Sequence, residues 1–194
     1  MNKSDLIAAV RSYMNRPTLT DDEISMWIAT VEGELNTLLR DHPRNLVRAS
    51  YTQLAGLQNM PIPPDMLQLV RLATGNTVWH QYPVTAVDLA AAAGNAYIER
   101  GTCLELYPAP AEDTLFSLDY HAAIKKLDDI YSENWVSTYF PDVYLYGALK
   151  EGAVWVKDDQ RSQLWAQEFA RRVDALSAQG WNQNTGAAPR VRLR

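Results

Sequence analysis

One cysteine, three histidines and no long apolar run are what this chain has least of, and each shortage argues against a class of function. Cys103 has no second thiol to pair with, so neither an intramolecular disulfide nor a multi-cysteine metal cluster is expected, and a reducing cytoplasm is the expected compartment of synthesis. His42, His80 and His121 are far apart, and no two stand at the i, i+4 spacing of helical metal ligands. The sequence has no Gly-x-Ser-x-Gly elbow, no phosphate-cradling glycine loop and no Cys-x-x-Cys, so no catalytic residue, metal or cofactor is expected. No apolar run reaches the roughly 18 residues of a spanning helix, and MNKSDLIAAV lacks an apolar signal core; neither insertion nor export is expected.

Positive charge is scarce as well. The whole chain carries −5, yet Arg190, Val191, Arg192, Leu193 and Arg194 hold three arginines, which leaves the rest at −8. An acidic body argues against general nucleic-acid binding, because affinity for phosphate rests on clustered basic surface. Aromatics, by contrast, are plentiful, with six tryptophans and ten tyrosines; they are read as core, with a share left for an oligomer interface.

Along the chain, Leu6, Ile7, Val10 and Met14 form a helical stripe behind Ser4-Asp5 that Pro17 ends. Thr20 and Glu23 have capping-box spacing, and Ile24, Trp27, Ile28, Val31, Leu35, Leu38 and Leu39 follow as a second stripe. From Leu46 the period changes to alternation. Met66–Ala73 and Thr77–Tyr82 can pair across Thr74-Gly75-Asn76, residues 84–93 read as a short helix ended by Gly94, Ala96–Arg100 and Thr102–Tyr107 as a hairpin, and Leu115–Tyr120 as a strand. Pro61–Asp65 is expected to be a stiff connector.

The densest stretch is Asn134–Leu176. Pro141 suits a first helical position, and the residues behind it are apolar almost all round, which predicts a central buried helix. Gly147 and Gly152 within it predict a close approach to its backbone. After the acidic turn Lys157-Asp158-Asp159 comes another helix, with Leu164, Trp165, Phe169, Val173 and Leu176 in its stripe. Trp27, Tyr146, Trp155, Trp165 and Phe169 are the expected core aromatics. Truncating Trp155 or Trp165 to Ala is expected to cost roughly 3 to 5 kcal/mol.

The expected fold is α+β. A bundle of about four helices (1–45 and 121–181) carries an inserted small antiparallel β subdomain (46–120) and an extended C-terminal arm (182–194). In an extended arm Val191 and Leu193 point one way and the three arginines the other, as in a strand added to a sheet edge, so residues 190–194 are the expected partner-binding segment.

The run YFPDVYLYGALKEGA before an acidic turn and a helix with Trp165 resembles phage head-to-tail adaptor proteins, and IPPDMLQLVRL, YIERGTCLELYPAP and LDYHAAIKKLDD resemble that family in content and order. The resemblance implies a structural virion protein at the head-tail junction. It implies a homo-oligomeric ring, expected to be dodecameric, beneath the portal protein, offering its lower face to a tail or nozzle protein, with DNA passing through the lumen without specific binding and no membrane involved. It also implies no enzymatic chemistry. The alternatives are a tail-completion or terminator ring and, from other classes, a small hydrolase or a nucleic-acid-binding assembly factor.

Overall fold

The structure, a computed structural model, describes residues 1–128 and 130–184, excluding the side chains of 180–184. It is mixed α+β, and the chain divides into two compact units, Met1–Arg44 with Ile124 onward, and Asn45–Ala123.

The first unit is helical. Helix α1 (Lys3–Met14) is capped by Asn2, whose side chain accepts from the Asp5 N–H, and takes Ser4 and Asp5 into its first turn; Asn15 closes it in the left-handed region at φ 52°. Helix α2 (Asp21–Leu38) opens on the Thr20/Glu23 capping box, both arms of which form. Among the described residues the protein has six α-helices rather than about four. The two beyond four are α3 (Val87–Ala93) of the second unit, within residues 84–93 expected to be a short helix, and α4 (Trp135–Tyr139), which was not expected, one turn nucleated by the reciprocal Asn134/Ser137 cap. A helix that short has no apolar period to read, only its cap.

Helix α5 (Pro141–Trp155) is central, packing against α1, α2, α4 and α6 (Asp159–Asn184). Its glycines face α2: a Cβ on Gly147 would stand 2.7 Å from Val31 Cγ1. The core of this unit runs through Leu6, Trp27, Ile28, Tyr144, Leu149 and Phe169. Trp27 and Phe169 are buried, as expected of core aromatics. Tyr146 and Trp165 are half-buried at its margin. Trp155 departs from expectation: it is 51% exposed, as Val154 (62%) and Leu164 of α6 (55%) are, whereas Gly152 and Ala153 in the same turn as Trp155 are buried, so that turn is covered on one face only. Helix α6 continues to Asn184, three residues into the stretch read as an arm, and Arg190, Val191, Arg192, Leu193 and Arg194 lie outside the described residues.

A return segment closes the helical unit through buried and part-buried polar groups. Leu127 N–H donates to Glu32 Oε1 (2.6 Å), Ile124 N–H to Asn36 Oδ1 (2.7 Å), and Asn134 Nδ2 to Lys125 O and the Tyr144 hydroxyl (2.7 Å each). Each would be a costly orphan if left unpaired away from water.

The second unit is a seven-stranded sheet in the order β1-β7-β3-β4-β5-β6-β2. Its strands are β1 (Leu46–Gln53), β2 (Asn59–Pro61), β3 (Met66–Thr74), β4 (Thr77–Gln81), β5 (Ala96–Arg100), β6 (Cys103–Tyr107) and β7 (Thr114–Ala122). The sheet is not wholly antiparallel: β4 and β5 run parallel, because a single 3-10 turn and α3 (Val87–Ala93) form a crossover between them. β2 was not expected as a strand, and its last residue, Pro61, is the first of the expected connector Pro61–Asp65. Pro61 is tolerated there because β2 is an edge strand. Phe116, Leu118 and Tyr120 of β7 lie in the core of this unit with Leu72, Trp79 and Leu104.

Candidate interaction surface

The residues that could have carried chemistry stand apart. His80 is on β4 and His121 on β7 with β3 between them, whereas Cys103 is on β6, separated from His80 by β5. At about 4.8 Å per strand these are not hydrogen-bonding neighbours. Among the described residues no group of three or more His, Cys, Asp or Glu could hold a metal ion, and no helix is long and apolar enough to cross a membrane. A groove on the helical unit between Glu34, Lys150, Phe169 and Asp174 encloses about 290 Å³, at the small end for a ligand site, and Lys150 is already committed to Glu34 and Glu151.

His42 is buried beside Trp135 and Arg44. It stacks on Trp135 (ring centroids 4.8 Å apart, 19° between planes), and its Nδ1 accepts the Arg44 N–H at 3.2 Å. Burial and the nearby Arg44 charge hold the imidazole below its usual range, so it is neutral near pH 7. The Arg44 guanidinium lies 4.5 Å from the Tyr139 ring centroid and 5.7 Å from that of Trp135.

The feature that faces outward with most to offer is β1. Val47, Tyr51 and Thr52 favour extended backbone, and neither Gly nor Pro interrupts the strand. All eight of its residues pair with β7 in one unbroken register. Directly opposed residues share a face, so Val47, Ala49 and Tyr51 lie beside the buried Tyr120, Leu118 and Phe116. Arg48, Ser50 and Thr52 lie on the other face, beside Asp119, Ser117 and Leu115. There Arg48 binds Asp119 through two contacts (2.6 and 3.1 Å) and Arg71 approaches at 3.7 Å. These partners, Arg48 first, hold the Asp119 carboxyl below the usual carboxylate range.

The loop after β1 is fixed by Gln53, whose buried amide donates to Leu57 O (2.8 Å) and Asn59 O (3.0 Å), while Asp113 accepts the Ala55 N–H (2.9 Å). Leu54 (54% exposed), Leu57 (52%) and Leu115 (61%) are thereby left in solvent at one end of the strand. The alternation of β1 was legible in sequence, but its position at the sheet edge was not, since that depends on which strands pair far along the chain.

A long strand edge and exposed leucines are features through which a protein makes contacts. No curated protein matches the chain. A family model described as SU10 adaptor protein matches residues 1–193, and the chain therefore belongs to this family of phage adaptor proteins.

Proposed function

We propose that the protein is a head-to-tail adaptor of the virion, made in the host cytoplasm and assembled as a dodecameric ring beneath the portal protein. The ring joins the DNA-filled head to the tail or nozzle protein and forms part of the DNA channel. Residues 190–194 serve as its attachment segment. Membership of an adaptor family over residues 1–193 is the observation that carries this reading. Two features support it. Many identical weak contacts around a ring give a tight joint by avidity, which needs contact surface and no catalytic centre. A net charge of −5 suits a channel through which a duplex must slide without being held.

The test is to mix the purified protein with its portal and image the complex, with the mass of the free protein measured alongside. A closed ring seated on the portal is the expected result. Failure to bind the portal, with binding to a tail tube end instead, would favour the tail-completion reading, and turnover or salt-sensitive DNA binding the other two.

A further inference from the structure

The two edges of the sheet are built differently. At one edge β2 is three residues long and ends in Pro61, which has no N–H to offer. Short strands and prolines are the usual means by which a sheet avoids unwanted pairing. At the other edge β1 offers eight residues with no proline, no lysine and no register shift, whereas β3 meets β7 with two shifts. Among the described residues nothing pairs with the outer flank of β1. Its apolar row shows the consequence: Val47 and Tyr51 are each 39% exposed although they lie beside the buried Tyr120 and Phe116.

We propose that the β1 edge of one copy receives residues 190–194 of a second copy as an added strand. This rests on the ring reading given above and names a contact within the ring. The sequence Arg190-Val191-Arg192-Leu193-Arg194 alternates with the two-residue period of a strand. Laid along β1 with Val191 and Leu193 on the face of Ala49 and Tyr51, it covers the open apolar flank and directs its arginines to the face of Ser50 and Thr52. Those are small, exposed and uncharged, and the one basic residue of β1, Arg48, is already matched by Asp119. The receiving unit is acidic: residues 45–123 hold seven acidic against three basic side chains. A basic strand is therefore the complementary occupant.

Reach is sufficient. The ten residues after Asn184 span about 33 Å when extended at ~3.3 Å each, enough for the last five to lie on a neighbouring molecule. Symmetry also favours the arm over β1 pairing with β1. Two identical edges make a closed twofold pair, whereas an arm on a neighbour's edge is a head-to-tail contact that can close into a ring.

The test uses a fluorescent peptide of residues 185–194 and, as receptor, the full chain carrying Val191→Asp and Leu193→Asp so that its own arm does not compete. Saturable binding at physiological salt is expected, at least tenfold weaker for a peptide of the same composition with Val and Leu side by side. The same loss is expected when the receptor also carries Ser50→Lys and Thr52→Lys, two exposed positions where folding is preserved. Equal binding by the scrambled peptide, or by the lysine receptor, overturns the proposal, as does no binding. Self-association of the arm-disabled chain that Ser50→Lys and Thr52→Lys abolish would mean that two β1 edges pair directly, which also overturns it. So would a wild-type chain that excludes the peptide while staying monomeric at every concentration, because the arm would then occupy its own copy. A ring unchanged by deleting residues 185–194 sinks the arm contact and leaves the ring reading standing. A chain that forms no ring even with portal sinks the ring reading, while the peptide titration still decides the β1 site.

Discussion

Cζ3 of Trp27 lies 2.8 Å from the point where a Cβ on Gly152 would stand, so helices α2 and α5 meet at a distance that only a missing side chain permits. Real carbon atoms do not approach so closely. Alanine ordinarily gains about 1 kcal/mol over glycine inside a helix. Here that gain is outweighed by overpacking, which costs about 1–3 kcal/mol. Gly147 is tighter still, with both Val31 methyls and Phe169 around it at 2.7, 2.9 and 3.1 Å.

Gly147→Ala and Gly152→Ala should therefore each lower stability by about 1–2 kcal/mol in a denaturant titration. Val31→Ala should relieve the Gly147 variant, so that the double variant is less destabilised than the sum of the two singles. Additive losses would show that the two helices are not in van der Waals contact at this point.

Trp27 and Trp155 should separate sharply, although both were expected in the core. Trp27 is buried, and Trp27→Ala should cost about 3–5 kcal/mol. Trp155 is 51% exposed and leans on Trp27 at 6.1 Å between ring centroids, so Trp155→Ala should cost about 1 kcal/mol or less. Thermal melts of the two variants decide the matter; equal losses would return Trp155 to the core.

The difference between those two tryptophans shows what the sequence could and could not convey. The capping box at Thr20 and Glu23 is local chemistry, and the glycines at 147 and 152 mark a close contact because a helix interior disfavours them without one. Trp155 belongs to an apolar helix, but which of its faces is covered is set by the helices packed against it, Trp27 of α2 among them. The parallel pairing of β4 with β5 was likewise hidden in a helix too short to announce a crossover. Of the proposed contact, the alternation of residues 190–194 was visible at once, and so was that of β1. The edge position of β1 appears only when β7, about sixty residues further on, takes the other flank.

Glu32 gives a pH dependence with a definite sign. Burial, the largest influence, raises its carboxyl above the usual range despite the Leu127 N–H that lowers it. The native state therefore binds this proton more tightly than the unfolded chain does. Its contribution to stability is fully present below the ordinary carboxylate value and is lost as pH rises through the raised native value. Glu32→Gln has no such slope, so its melting temperature should compare best with wild type near pH 8 and lose that relative advantage towards pH 4. A difference independent of pH would mean that Glu32 titrates normally.

The acidic body predicts an absence of DNA affinity. A chain ending at Gly180, without the three arginines of residues 190–194, should show no measurable duplex binding at physiological salt. Tight binding that weakens as salt rises would place a phosphate-binding face on the folded body.

Removing residues 182–194 trims one end of α6 without reaching the core residues Phe169, Val173 and Leu176. The melting temperature of the monomer should be nearly unchanged while portal binding or ring formation weakens, and Val191→Asp with Leu193→Asp should do the same. Full portal affinity and an intact ring after the deletion would move the attachment surface onto the folded body.

The tie between Glu32 and the Leu127 N–H also sets a clock for synthesis. The two groups are 95 residues apart, so α1 and α2 leave the ribosome long before the return segment and α5 that cover their apolar stripes. At about 5–20 residues per second the gap lasts roughly 5–20 s. During it the stripe of Leu6, Ile24, Ile28 and Leu35 has only its own hairpin to shelter it. The sheet unit, whose strands all lie within that interval, emerges complete before the helical unit has its central helix. A newborn chain stalled inside that window should be the form on which chaperones act.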